Sequence, residues 1–121
     1  MDQRAGKTYR LTRRKDIEQL FAAGRSARDA LLTIVAMPND RRHSRCAVGV
    51  SRRHGGAVQR NRVKRLCREA FRLSRHQVPP GWDYMIMPRV CPHLKLPAIR
   101  SSLVALAQRV TSGGQGKDGG R

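Results

Sequence analysis

The segment from Gln59 to Arg72 restricts what this chain can fold into more than any other. Val63, Leu66, Cys67, Ala70 and, one residue beyond, Leu73 recur at the spacing of one helical side. Arg60, Lys64, Arg68 and Arg75 recur on another, with Asn61, Arg65 and Arg72 beside them. The pattern predicts a helix with one side for a core and a cationic side left outside it. Glu69 is the only acid in the segment, so a ladder of ion pairs cannot neutralise the charge. The cations begin in the N-terminal part, where the helix dipole is already positive and each costs up to roughly 0.3–1 kcal/mol. Charge held against the dipole points to a polyanionic partner; the competing reading is a solvated face. Asn61 has two readings as well, a helix cap or a contact to that partner.

Composition agrees with the partner. The 121 residues suffice for one domain with a modest core. They carry 26 basic against 8 acidic side chains, a net charge of +18, for which nucleic-acid phosphate is the leading counter-charge and an anionic membrane the alternative. Arg outnumbers Lys by 21 to 5, which suits bidentate phosphate contacts and base stacking, although a biased base composition produces the same skew. An apolar run long enough to cross a bilayer is lacking, as is a signal-peptide core, so a cytoplasmic protein without a membrane partner is expected. Cys46, Cys67 and Cys91 are odd in number, widely spaced and without a Cys-x-x-Cys, which reads as reduced thiols. His43, His54, His76 and His93 lack metal-ligand spacing. Asp16, Asp83 and Glu69 do not form a plausible acid–base pair, and the sequence offers neither a nucleophile–base constellation nor a carboxylate cluster for two metals. The expectation is a binding protein with no catalytic residues of its own.

Along the chain, Thr12 can cap a helix over residues 13–23 that stops at Gly24, with Ile17, Leu20 and Phe21 on its apolar side. Residues 30–37 read as a buried strand, and Pro38-Asn39-Asp40 as a turn. Residues 45–51 read as a second strand, antiparallel to the first through a loop of about seven residues. The basic stretch Arg52-Arg53-His54-Gly55-Gly56 leads into the central helix, residues 57–75. Residues 82–89 read as a third strand that ends or lies at an edge near Pro88. A helix beginning at Pro97 puts Ile99, Leu103, Leu106 and Val110 on one side. Phe71, Leu66, Trp82 and Tyr84 read as packing residues; Phe21 reads as core or as the floor of a cleft. The order helix–strand–strand–helix–strand–helix defines an α+β domain over residues 1–111, with residues 1–10 partly disordered and residues 112–121 a flexible Gly-rich tail.

The run Ala47-Val48-Gly49-Val50-Ser51-Arg52-Arg53-His54-Gly55-Gly56-Ala57-Val58-Gln59-Arg60-Asn61-Arg62-Val63-Lys64-Arg65 closely resembles the signature of the bacterial ribonuclease P protein component. Residues 13–24 resemble that family's first helix and residues 81–89 its last strand, so the likeness extends over about residues 8–110. The resemblance implies a ribosomal-protein-S5-like α/β sandwich with a small central sheet, three helices and a left-handed βαβ crossover. It implies the accessory subunit of an RNA-based endonuclease that removes the 5′ leader of precursor tRNA. The catalytic groups and Mg²⁺ then belong to the RNA subunit, and the partners are that RNA and the leader, with no DNA and no membrane. The matching positions for RNA contact are Arg52, Arg53, Arg60, Asn61, Arg62, Lys64, Arg65 and Arg68; those for the leader cleft are Ile17, Phe21 and Val35. Ile17 stands where the family usually has an aromatic, and an aromatic is also frequent near Val35, so weaker base stacking is expected here.

Three other readings share the charge. A ribosomal or chaperone-type RNA-binding protein would lack a leader cleft and any role in tRNA maturation. A helix-turn-helix DNA regulator needs a second helix just before the central one, where a strand is expected instead. A self-contained nuclease lacks its carboxylates.

Overall fold

The computed structural model describes residues 10–91 and 94–112. The expected N-terminal segment and Gly-rich tail fall, apart from Arg10 and Ser112, outside the described residues. In chain order the elements are α1 (Arg14–Ala23), β1 (Arg25–Arg28), β2 (Leu32–Pro38), β3 (Arg45–Val48), a 3₁₀ turn (Arg52–His54), α2 (Ala57–Ser74), β4 (Trp82–Pro88) and α3 (Leu96–Thr111). The strands form one sheet in the order β1-β2-β4-β3. β2 runs antiparallel to both β1 and β4, and β3 runs parallel to β4. The β3–α2–β4 unit is therefore a crossover with the cationic helix as its connection.

Strand alternation sends side chains to two different layers. Ile34 and Ala36 of β2, Cys46 of β3 and Tyr84 and Ile86 of β4 join Cys67, Ala70 and Phe71 of α2 and Ile99, Leu103, Leu106 and Val110 of α3 in the main core. The Phe71 and Tyr84 rings lie 6.1 Å apart there. On the opposite face, Val35, Ala47 and Met85 pack with Leu11 and with Leu20 of α1 in a smaller core. The result is one helix on one side of the sheet and two on the other.

β2 and β3 run in opposite directions as expected, but β4 lies between them. The sequence shows two apolar runs joined by a short loop; it does not show that a third, 34 residues later in chain position (Trp82 after Val48), inserts between them. Pro88 ends β4 and is not on an edge strand, since β4 is paired on both sides. β1 was not legible: of Arg-Ser-Ala-Arg only Ala27 is buried, too little for a period-two pattern. Such a short, charged strand is typical of a sheet edge. Thr12 is not the cap of α1; Arg13 holds that position without a side-chain hydrogen bond. The chain before it is drawn along β3, where Arg10 bridges Cys46 and the Leu11 N–H donates to the Cys46 carbonyl at 2.8 Å. Gly24 ends α1 with an extended backbone, and its value is close approach. A Cβ there would stand 2.5 Å from the Leu20 carbonyl oxygen and 2.7 Å from Val35 Cγ1. Leu73, assigned by spacing to the apolar side, is 36 % exposed, because the buried stripe runs through Cys67, Ala70, Phe71 and Ser74.

Arg45 and Asp83, directly opposite across β3 and β4, form a two-bond ion pair at 2.9 and 2.7 Å. Asn39 also donates to Asp83, at 2.8 Å, and Asp16 of α1 reaches Arg45 at 3.5 Å. The two acids that seemed unrelated in sequence thus share one guanidinium. Asp83→Ala leaves Arg45 largely buried without its main partner and is expected to cost about 3–5 kcal/mol in urea unfolding. Asp16→Ala removes a longer, more open contact and is expected to cost about 1 kcal/mol or less in the same measurement.

Candidate nucleic-acid interface

The cationic side of α2 is exposed because the helix is pinned through its other side. Arg60, Lys64, Arg65 and Arg68 have no ion-pair partner among the described residues. Glu69 is taken by Arg72, which donates to it at 2.6 and 3.1 Å. That hydrogen bond, against a small burial penalty, holds the Glu69 carboxyl below its ordinary range. The helix starts after Gly56 with no side-chain cap and no acid in its first turn. Asn61 lies within the helix, so the cap reading is excluded, and its side chain faces the grooves beside the cations.

Two adjoining grooves run along this side. One, of about 490 Å³, is lined by Asn61, Lys64, Arg65 and Arg68 together with Arg10 and Arg75. The other, of about 400 Å³, lies between the end of β3 and the start of α2 and is lined by Arg60, Asn61 and Lys64 with Val48, Gly49 and Val50. Arg68 is held below its ordinary pKa, first by partial burial and then by the neighbouring Arg10 charge. A guanidinium crowded by a like charge, in a groove whose single acid is already paired, is favourably placed for a bound anion.

The residues expected to contact RNA therefore divide. Arg60, Asn61, Lys64, Arg65 and Arg68 come together along one side. Arg62 does not line either groove; it borders a separate cavity with Gln59, Val63 and Leu66. Arg52 and Arg53 sit exposed in the 3₁₀ turn ahead of the helix. The Ser51 hydroxyl accepts from the Arg53 N–H at 3.2 Å, and Gly55, at φ 115°, turns the chain into α2. Arg10 was missed: about fifty residues separate it from α2, and only its bridge to β3 brings it into the groove.

The residues expected to form the leader cleft lie where α1 meets the sheet, with unequal access. Phe21 is 52 % exposed, which excludes the core reading. Ile17 is half-buried beside Met37 and Met87. Val35 is only 7 % exposed, closed in by Leu20 and Gly24, so it supports the floor from beneath and offers no open surface. Trp82, as expected, packs at the margin of the core, with the Arg25 guanidinium 5.7 Å from its ring centroid.

A four-stranded sheet carrying one helix on one face, two on the other and an unneutralised cationic helix side makes a small basic α+β protein with a face suited to a polyanion. The comparisons make this specific. The sequence matches the Ribonuclease P family over residues 6–111. It is 37 % identical to the ribonuclease P protein component of Roseiflexus castenholzii, over 85 % of this chain and 86 % of the relative. The fold superposes on the ribonuclease P protein of Thermotoga maritima with a TM-score of 0.77 and 29 % identity, over 85 % of this chain and 98 % of that one. The Staphylococcus aureus ribonuclease P protein has the same fold, with a TM-score of 0.73 at 24 % identity. The chain belongs to the ribonuclease P protein family, the protein subunits of a tRNA-processing ribonucleoprotein.

Cys46 borders the larger groove but is not a reactive group. Burial pushes both the Cys46 and Cys67 thiols up to about 12, against the weaker opposing influence of Arg68. A thiol-specific reagent at neutral pH is expected to modify Cys91, which is only half-buried, and to reach Cys46 and Cys67 only after denaturant is added.

Proposed function

We propose that this protein binds the catalytic RNA of ribonuclease P through the α2 face and holds the 5′ leader of precursor tRNA against α1, supporting removal of the leader by the RNA. The observation that carries this reading is the row Arg60, Asn61, Lys64, Arg65 and Arg68, which lines two grooves and has no protein counter-charge among the described residues. Each of these cations can displace counterions from a phosphate backbone while the opposite side of the same helix anchors the fold. Arg52 and Arg53 extend the contact ahead of the helix.

In this reading the chemistry and its Mg²⁺ reside in the RNA. Three of the protein's carboxylates are already engaged by cations, Asp16 and Asp83 by Arg45 and Glu69 by Arg72. None of these carboxylates fits the role of a Mg²⁺ ligand. The protein contributes position and charge. The leader lies over Phe21 and the edge of Ile17, with Val35 stiffening the floor. The site of action is the cytoplasm, where tRNA precursors are made; among the described residues no helix is long and apolar enough to cross a membrane.

Arg65→Ala is expected to weaken binding of the RNA subunit and to lower the slope of log K against log salt by about one phosphate's share, roughly 0.7–0.9. An unchanged slope removes Arg65 from the interface. Phe21→Ala is expected to raise KM by on the order of tenfold for precursors with long leaders, the size of one lost base stack. Precursors with a one-nucleotide leader should change little. Equal effects on both would take Phe21 out of the leader's path.

A further inference from the structure

Arg62 lies one turn before Arg65 on α2 but lines neither of the two main grooves. It lines a cavity of about 620 Å³ with His54, Gln59, Val63, Leu66, Val90, Cys91, Leu94 and Lys95. The cavity has an apolar floor in Val63, Leu66 and Leu94, which pack at the margin of the main core. Its polar rim is rich in donors. Neither Arg62 nor Lys95 has an ion-pair partner among the described residues, and no carboxylate lines the cavity.

His54 adds an unusual group. Its Nδ1 accepts from the Ser51 N–H at 3.4 Å, which leaves the ring proton on Nε2. Nε2 is shut off from bulk solvent and has no hydrogen-bond partner among the described residues. A buried donor without an acceptor is costly to keep and rare in folded proteins. The backbone fixes the ring at this spot: His54 lies in the 3₁₀ turn, and the φ of 115° at Gly55 folds the turn against Gln59. Gln59, Arg62 and Lys95, which share the cavity with the imidazole, are long and exposed and can swing aside.

We propose that His54, Gln59, Arg62 and Lys95 form a second phosphate site, on the side of α2 away from the main cationic face, which takes one backbone phosphate of the RNA with its sugar over the apolar floor. The proposal rests on the RNA-binding reading given above. A metal ion fits the same cavity poorly, because the two ligand types present, His54 and Cys91, are accompanied by two cations. An anion satisfies all the donors at once, and the apolar floor strengthens each of those contacts by lowering the local dielectric. Bound there, the RNA would grip α2 from two sides, and Arg62 would have a role distinct from that of Arg65.

The test is filter binding of the full chain to a bacterial ribonuclease P RNA subunit, comparing wild type with Lys95→Ala, Arg62→Ala, the pair combined, His54→Phe and, on the main face, Arg65→Ala. Lys95→Ala and Arg62→Ala are each expected to weaken binding by about tenfold, the size of one charge-assisted hydrogen bond. Their combination should cost less than the product of the two, because they share one phosphate. His54→Phe keeps the shape of the ring and loses the donor, and should weaken binding several-fold. Lys95 is exposed, so its replacement decides the matter even if His54→Phe fails to fold. Wild-type affinity in Lys95→Ala together with independent, multiplicative behaviour of the pair would overturn the second site, and a loss in Arg65→Ala alongside that result would leave the main-face reading standing. Absence of RNA binding by the wild-type chain would overturn both.

Discussion

Everything in this molecule is arranged around β4. The strand is paired on both sides, antiparallel to β2 and parallel to β3, and its alternate residues supply both cores. Tyr84 and Ile86 face α2 and α3; Met85 faces α1. Asp83 holds Arg45 at the end of β3, and through Arg45 the sheet meets Asp16 of α1. Both proposed binding surfaces inherit their geometry from this strand. The cationic face of α2 is outside because its other side packs over Tyr84, and Phe21 is exposed because Leu20 is buried on the far side of the sheet.

The helix that carries the charge is poorly suited to stand alone. It has no side-chain cap, no acid in its first turn and cations along its N-terminal half. Each of these features works against an isolated helix. What stabilises it is burial of Cys67, Ala70, Phe71 and Ser74, and the Arg100 guanidinium of α3, which donates to Ser74 Oγ at 3.0 Å and to the Leu73 carbonyl at 3.3 Å near the C-terminal end. Local propensity is thus subordinated to a surface that presents positive charge, as expected where function rather than folding sets the residue choice.

Much of this was legible from pattern. The two long helices, the three apolar strands and the separation of Arg60, Lys64 and Arg68 from the core all follow from periodicity, and the family resemblance follows from residues 47–65. What was hidden depends on distance in sequence. Insertion of β4 between β2 and β3 is a tertiary event with no local mark. β1 was missed because a single buried alanine does not make a pattern. Arg10 enters the main groove only because a backbone bridge to Cys46 carries it there, and Arg45 joins Asp16 to Asp83 only once three elements have met. Val35 matched a cleft position by family likeness, but the close approach of Gly24 closes it beneath α1.

The most direct test of the central claim is 5′ cleavage of a precursor tRNA at low Mg²⁺, with the purified protein, a bacterial catalytic RNA subunit, and the two combined. An accessory subunit that positions RNA and supplies charge predicts cleavage with the combination and none with the protein alone. Cleavage by the protein alone would contradict the account by revealing chemistry in this chain. Failure of the protein to stimulate an RNA subunit that it demonstrably binds would contradict it from the other side, and would place the protein among RNA binders without a part in leader removal.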